Sequence, residues 1–257
     1  MRQIKQTLEK ALTEAGKLVK AAAQKPISIQ YKSPVSLVTK TDQNTERVII
    51  EIIKKKFPDH SILGEESEPT GNSRSKWIID PIDGTTNFAH GLPAYCISIG
   101  YEEDGAVKLG GVFNPILDEW FWAEKGKGAS LNGKKIKVSK AKKLSHSLLA
   151  TGFPYDRRER AQYYLKFVEE FLLQTHGIRR LGSSAIDLCY VACGRFDGYW
   201  EFNLQAWDIS AGTLIVEEAG GRLSDFSGKP HSIYGKQTLA TNGLIHKEML
   251  NIIKQLL

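Results

Sequence analysis

The chain has 257 residues, 41% hydrophobic and 25% charged, and its 35 Lys and Arg outweigh 29 Asp and Glu for a net charge of +6. This composition excludes disorder and fibre, and the length allows one large domain or two small ones. Three Cys, an odd number, speak against a disulfide framework and for a reducing compartment, and the basic surplus suits a phosphorylated small molecule, a nucleic acid or bare solvent.

Residues 2–23 place Ile4, Leu8, Leu12, Ala15, Leu18, Val19 and Ala22 near helical spacing, an amphipathic helix without the apolar core of a signal peptide. Thr41-Asp42 opens a second helix carrying Val48, Ile49, Ile52, Ile53 and Phe57, capped by Asp42 or Thr45 and stopped by Pro58. Ile62-Leu63 reads as a short strand, and longer ones run from Trp77 to Asp80, Tyr95 to Tyr101, Val107 to Phe113 and Glu119 to Ala123. The uncharged stretch from Gly84 to Tyr101 is broken by Gly, Pro, Asn and His, so it is no membrane span. Asn132-Gly133 predicts a hairpin turn, with an alternating strand from Lys135 to Lys140 after it. A helix over 159–174, a strand around Ile178 to Leu181, a helix from Ser184 to Ala192 and a strand from Gly198 to Phe202 follow. A helix from Ile209 to Ala219, the strand Leu239 to Thr241 and a last helix complete the chain. Helices and strands mix without a long linker or a repeat, so residues 1–257 are expected to form a single cytoplasmic α/β (α+β) domain.

Two motifs mislead. Gly128 to Lys135 nearly matches the phosphate-binding loop G-x-x-x-x-G-K-[ST], but Lys135 stands where a hydroxyl is needed and no helix follows. Cys189 and Arg195 have the spacing of a cysteine phosphatase, yet the residues between them read as an apolar helix ending at Gly194. The six His are scattered, without metal-binding spacing.

Three segments set acids beside apolar runs: Ile62 to Ser67, Trp77 to Phe88 and Ala206 to Gly212. In the second, Asp80 ends a buried strand, where α/β sheets place ligands. Pro81 bends the chain so that Asp83 can turn toward Asp80 and the Ile82 carbonyl is exposed. Gly84 allows close approach, and Thr85-Thr86-Asn87 can offer free amides to an anion. Taken alone, Asp80-x-x-Asp83 is equally an Asp-rich turn and Asp208 equally a helix cap. Oxygen ligands without His or Cys select Mg²⁺, Mn²⁺ or Ca²⁺, and a phosphate cradle beside them points to metal-assisted phosphoryl transfer.

Asp80 to Phe88 reads D-P-[ILV]-D-G-T-x-N-[FY], and Trp207-Asp208 through Gly221 reads W-D-x-x-A-G, an apolar run and E-A-G-G. With Gly64-Glu65-Glu66-Ser67 and Val38 to Asp42 in the same order, the chain resembles the inositol monophosphatase family. Arg179 to Ala185 is similar to the bacterial branch. The resemblance implies a layered α-β-α-β-α sandwich of the inositol monophosphatase and fructose-1,6-bisphosphatase type, and usually a homodimer. It implies two or three Mg²⁺ ions held by Glu65, Asp80, the Ile82 carbonyl, Asp83 and Asp208, with Li⁺ as an inhibitor. Thr85, Asp42 and Glu65 form the implied catalytic group, in which Thr85, with Asp42 behind it, orients the attacking water. Gly84, Thr85, Thr86 and Asn87 form the implied phosphate cradle. Gly182, Ser183, Ser184, Glu201 and Asp208 meet the polyol, while Glu66, Asp187 and Glu217 either stand behind the site or are structural.

The implied reaction is direct attack of a metal-activated water on myo-inositol 1-phosphate or a similar polyol or sugar phosphate. Fructose 1,6-bisphosphate and nucleotide phosphates are the alternatives. A different function, binding RNA or a transcription complex, is suggested by Lys125 to Lys143, with eight Lys and no acid, and by a bacterial relative associated with ribosomal RNA transcription. A solvated basic hairpin is the other reading of that stretch.

Overall fold

Helix α1 (Arg2–Ala22) buries Ile4, Leu8, Ala11, Leu12, Ala15 and Val19, the one-face spacing read from the sequence. It opens a computed structural model that describes residues 1–25, 29–33 and 36–257, with side chains for 1–25 and 38–257. The hairpin of β1 (Ile29–Ser33) and β2 (Ser36–Thr39) leads into α2 (Lys40–Lys56). The cap of α2 is Thr39, not Asp42 or Thr45. Thr39 Oγ1 accepts from the amides of Thr41 (3.1 Å) and Asp42 (3.4 Å), while Asp42 takes the Thr39 amide at 2.8 Å. This reciprocal box satisfies more orphan amides than a cap at Asp42 could.

A seven-stranded sheet runs in chain order: β3 (Ser61–Gly64), β4 (Ser75–Asp83), β5 (Cys96–Glu103), β6 (Ala106–Asn114), β7 (Glu119–Glu124), β8 (Gly128–Leu131) and β9 (Lys134–Lys135). The short helix α3 (Thr85–Ala89) lies between β4 and β5. Then come β10 (Leu148–Thr151), α4 (Arg157–Gln174), β11 (Gly177–Arg179), α5 (Ser184–Ala192), β12 (Gly198–Phe202), α6 (Ala206–Glu218), β13 (Arg222–Ser224), β14 (Gln237–Thr241) and α7 (His246–Leu256). Their strands form a second sheet of order β11-β10-β12-β14-β13.

Period-two alternation assigns the layers. Ile97, Ile99 and Tyr101 of β5 join α1 and α2 in one core, with Ile49 and Ile53. In the second sheet Ala150, Tyr199 and Ala240 share a core with α5 and α6, whereas Leu149, Trp200 and Leu239 share one with α4 and α7. The order is therefore α1/α2, first sheet, α5/α6, second sheet, α4/α7, the α-β-α-β-α sandwich. Gly100 and Gly110 let α6 close on the first sheet. A Cβ at these positions would lie 2.5 Å from Ser210 Oγ and 2.9 Å from the Ala211 carbonyl oxygen.

The sequence reading is corrected at several boundaries. Strand β4 continues through Pro81 to Asp83, with a register shift after Asp80. Helix α6 starts three residues before Ile209, and of the expected Lys135–Lys140 strand only Lys135 joins a ladder, paired as part of β9 with β8. Strands β10 and β13 were not expected, being short and without alternation. Asn132 (φ 50°) and Gly133 (φ 75°) make the two-residue hairpin turn, so Gly128 to Lys135 is no phosphate loop. Cys189 sits in the core on α5, where burial pushes its thiol up, the reverse of what a nucleophile needs. Among the described residues no helix is long and apolar enough to cross a membrane.

His246, at the start of α7, is fully buried. Its Nε2 lies 3.0 Å from Ser224 Oγ, whose proton goes to the Asp225 carbonyl at 2.7 Å. Its Nδ1 lies 3.0 Å from Thr241 Oγ1, which itself accepts the Gly243 amide. The ring thus donates from Nε2 and accepts at Nδ1, as a neutral imidazole. Burial, with Arg222 nearby, lowers its pKa from 6.5 to about 4. The unfolded chain takes up a proton that the folded one refuses. The His246 contribution is therefore intact above pH 6.5 and is lost as pH falls toward 4, at up to about 1.4 kcal/mol per unit. Denaturation curves across this range should show wild type losing more stability on acidification than His246→Gln. Parallel losses would rule the effect out.

Candidate active site

The end of β4 carries the first two acids. Asp80 pairs with Ser98, the register shifts, and Asp83 then meets Cys96. Pro81 has no N–H for the ladder, so the irregularity falls beside it. Asp80 Oδ1 takes the Ile82 amide at 3.0 Å, closing a turn over Pro81. Asp208 comes from the first turn of α6, where Oδ2 accepts the Gln205 amide at 2.7 Å. One oxygen from each of Asp80, Asp83 and Asp208 lies within 4.8 Å of the other two. These acids line a cavity of about 360 Å³ together with Glu65, just past β3.

Burial raises the Asp80 carboxyl well above its ordinary value, and Glu65, Asp83 and Asp208 add repulsion. Asp83 is pushed up to about 6 by burial, against the Ser183 and Ala185 hydrogen bonds that lower it. Asp208 is raised by burial and then by Asp83. Acids that resist ionising side by side are relieved by a divalent cation, and an all-oxygen set fits Mg²⁺, Mn²⁺ or Ca²⁺ rather than zinc. The residues present therefore fit a metal site.

Beside this trio, Thr85 Oγ1 lies 3.1 Å from Asp42 Oδ1 and 3.0 Å from the Ile82 carbonyl oxygen, so its single proton has two acceptors. Asp42 is fully buried, and burial raises its pKa. Gly84 opens α3 with φ 96°, and a Cβ there would fall 2.9 Å from the Ala94 carbonyl oxygen. Gly84, Thr85, Thr86, Gly182, Ser183, Ser184 and Glu201 all border the cavity. Glu201 accepts a hydrogen bond from the Tyr199 hydroxyl, and burial pushes its pKa up to about 7.

Two expected roles change. The Asn87 amide does not reach the cavity, because it donates to the carbonyls of Ala94 (2.6 Å) and Leu181 (2.7 Å) and staples two loops. The Ser183 hydroxyl donates to Asp83 Oδ2 at 2.6 Å rather than into the cavity. Glu217 takes the structural one of its two expected roles, in a surface ion pair with Lys125 at 2.7 Å. Of the other two supporting acids, Asp187 is buried near Glu201 and Asp83, which raise its pKa after burial does. The Glu66 amide donates to Glu46 at 3.0 Å. Sequence reasoning assigned no role to Tyr155, Arg157, Arg180, Asn203 and Gln205, which also line the cavity. Arg180 lies within the quoted Arg179–Ala185 segment, Arg157 opens α4, and Tyr155, Asn203 and Gln205 sit on loops with no pattern to reveal them.

The model of the inositol monophosphatase family matches residues 1–256. The chain is 47% identical over 218 residues to an inositol-1-monophosphatase of Synechocystis, covering 83% of this chain and 75% of that one. It is 39% identical to the Nus factor SuhB of Pseudomonas aeruginosa, covering 95% and 93%. The solved structure of inositol monophosphatase from Anabaena superposes with a TM-score of 0.90 at 41% identity, over 99% of this chain and 96% of that one. With its signature acids gathered in one cavity and the match running almost end to end, the chain belongs to the inositol monophosphatase family.

Proposed function

We propose that the protein is a Mg²⁺-dependent phosphomonoesterase that converts myo-inositol 1-phosphate, or a similar polyol or sugar phosphate, to free polyol and inorganic phosphate. The convergence of Asp80, Asp83 and Asp208 beside the Thr85–Asp42 pair carries this reading. Glu65, Asp80, the Ile82 carbonyl, Asp83 and Asp208 would hold two or three ions. Bound there, divalent cations supply positive charge for the phosphate and bring the pKa of a water toward neutrality. Thr85 orients that water: when its own proton goes to Asp42, its lone pairs accept one from the water. Asp42, made more basic by burial, is the sink for that proton. The amides at the start of α3 face the phosphate, and Glu201 with Gly182 and Ser184 borders the polyol end. Inhibition by Li⁺ and a homodimeric state belong to the same proposal.

Arg157 and Arg180 keep fructose 1,6-bisphosphate and nucleotides among the candidate substrates, since each guanidinium can pair with a second phosphate. Phosphate release from inositol 1-phosphate, fructose 1,6-bisphosphate and 3′-phosphoadenosine 5′-phosphate ranks them. Inositol 1-phosphate should have the highest kcat/KM, and Asp83→Asn should cut kcat by about 100-fold or more while its cooperative melting transition is retained. Full turnover in that variant would sink the assignment.

The acids give a test independent of turnover. Their raised pKa values mean that the folded metal-free protein holds protons the unfolded chain has released. Its stability therefore falls as pH climbs from the ordinary carboxylate value of 3.8 through about 6 for Asp83, and further for Asp80 and Asp208. A bound cation removes this cost, so Mg²⁺ should raise Tm more at pH 8 than at pH 5. Equal shifts at both would reject the site.

A second reading, RNA or transcription-complex binding, draws on the name of the Pseudomonas relative and on the exposure of all eight Lys between 125 and 143. Lys135, Lys137 and Lys140 line a groove of about 450 Å³ with Asn242 and Leu244. Filter binding to single-stranded RNA should weaken steeply with salt and be lost in the Lys135→Glu, Lys137→Glu double variant, with phosphate release unchanged. No retention of the wild type at low salt would end this reading.

A further inference from the structure

Asp83 and Ser183 stand 100 residues apart, one at the end of β4 in the first sheet and the other capping α5 between the sheets. The Ser183 hydroxyl and the amides of Ser184 and Ala185 all donate to the Asp83 carboxylate. Ser183 Oγ reaches Oδ2 at 2.6 Å and the Ala185 amide reaches the same atom at 2.7 Å. The Ser183 hydroxyl has one proton, and its lone pair already accepts the Ile186 amide at 3.4 Å as the helix cap. The proton therefore has one productive direction, toward Asp83. The Cys96 thiol lies behind the pair, 3.6 Å from Ser183 Oγ and 3.9 Å from Asp83 Oδ2. Ser183 borders the cavity but is only 1% exposed, which leaves its hydroxyl no room to meet a polyol.

With Oδ2 taking the Ser183 and Ala185 hydrogen bonds and facing the Cys96 thiol, Oδ1 is the less encumbered Asp83 oxygen for a cation. We propose that Ser183 is a positioning residue that fixes the Asp83 carboxylate with Oδ1 toward the cation site, so that it serves the metal and not the polyol. The α5 N-terminus then does the same work through the Ala185 amide. The inference rests on the proposed cation site and assigns within it a residue whose effect is read in metal affinity. A residue that orients a metal ligand is commonly worth about 10- to 100-fold in affinity.

The experiment is titration calorimetry of the substrate-free protein with Mn²⁺, alongside Mg²⁺ dependence of phosphate release from inositol 1-phosphate. Ser183→Ala should weaken Mn²⁺ by about 10-fold or more and raise the half-saturating Mg²⁺ in parallel. Its KM for substrate at saturating Mg²⁺ should stay within about twofold of wild type, since the hydroxyl makes no polyol contact. Ser183→Thr, which keeps both the O–H and the cap, should restore the metal affinity. Ser183→Gly keeps a good helix cap without a hydroxyl, so it should repeat the Ala result if Ser183→Ala does not fold. Wild-type Mn²⁺ affinity in Ser183→Ala or Ser183→Gly, or a raised KM with unchanged metal affinity, would overturn the proposal. Wild-type protein that neither binds Mn²⁺ nor releases phosphate would overturn the cation site itself and this role with it.

Discussion

Mutual repulsion among crowded carboxylates is the constraint around which this protein is built. Asp80, Asp83 and Asp208 bring oxygens within 4.8 Å of one another in a setting that raises the pKa of each. A chain tolerates such a cluster only if hydrogen bonds hold the acids or a cation neutralises them. The hydrogen bonds are visible. The Ile82 amide holds Asp80, the Gln205 amide holds Asp208, and Ser183 with Ala185 holds Asp83. Each of these bonds engages one named oxygen of its carboxylate.

The layered architecture follows from bringing these acids together. Asp80 and Asp83 come from the first sheet, Asp208 from α6, and the donors to Asp83 from the start of α5. Helices α5 and α6 lie between the sheets, so the site forms only where both layers meet. Bare backbone at Gly100 and Gly110 allows α6 to come close enough, because a side chain at either would run into Ser210 or Ala211. Gly152 has a similar role at the other wall, where a Cβ would fall 2.1 Å from the Glu201 carboxylate.

Much of the site was legible because its residues are local in sequence or carry turn chemistry. Asp80-Pro81-Ile82-Asp83-Gly84 announced a bend with two acids and a glycine for close backbone approach, and the structure has each of these. The amphipathic spacing of α1, the Asn132-Gly133 turn and the apolar α5 were readable for the same reason. Asn87 and Ser183 were read as cavity contacts because they sit in binding segments, and the partners that draw them away, Leu181 and Asp83, are remote in sequence. Short strands such as β10 and β13 gave no periodic signal and are defined by their neighbours in the sheet.

The sequence by itself determined which acids exist, which of them flank a proline bend, which faces of its helices are apolar, and the family to which the chain belongs. Only the tertiary structure decided which oxygen of each acid is engaged, that the Ser183 proton goes to Asp83, and that Arg157 and Arg180 border the same cavity as the carboxylates. Spacing along a chain encodes local conformation, whereas the direction of a hydrogen bond depends on what the other layer of the sandwich brings within about 3 Å.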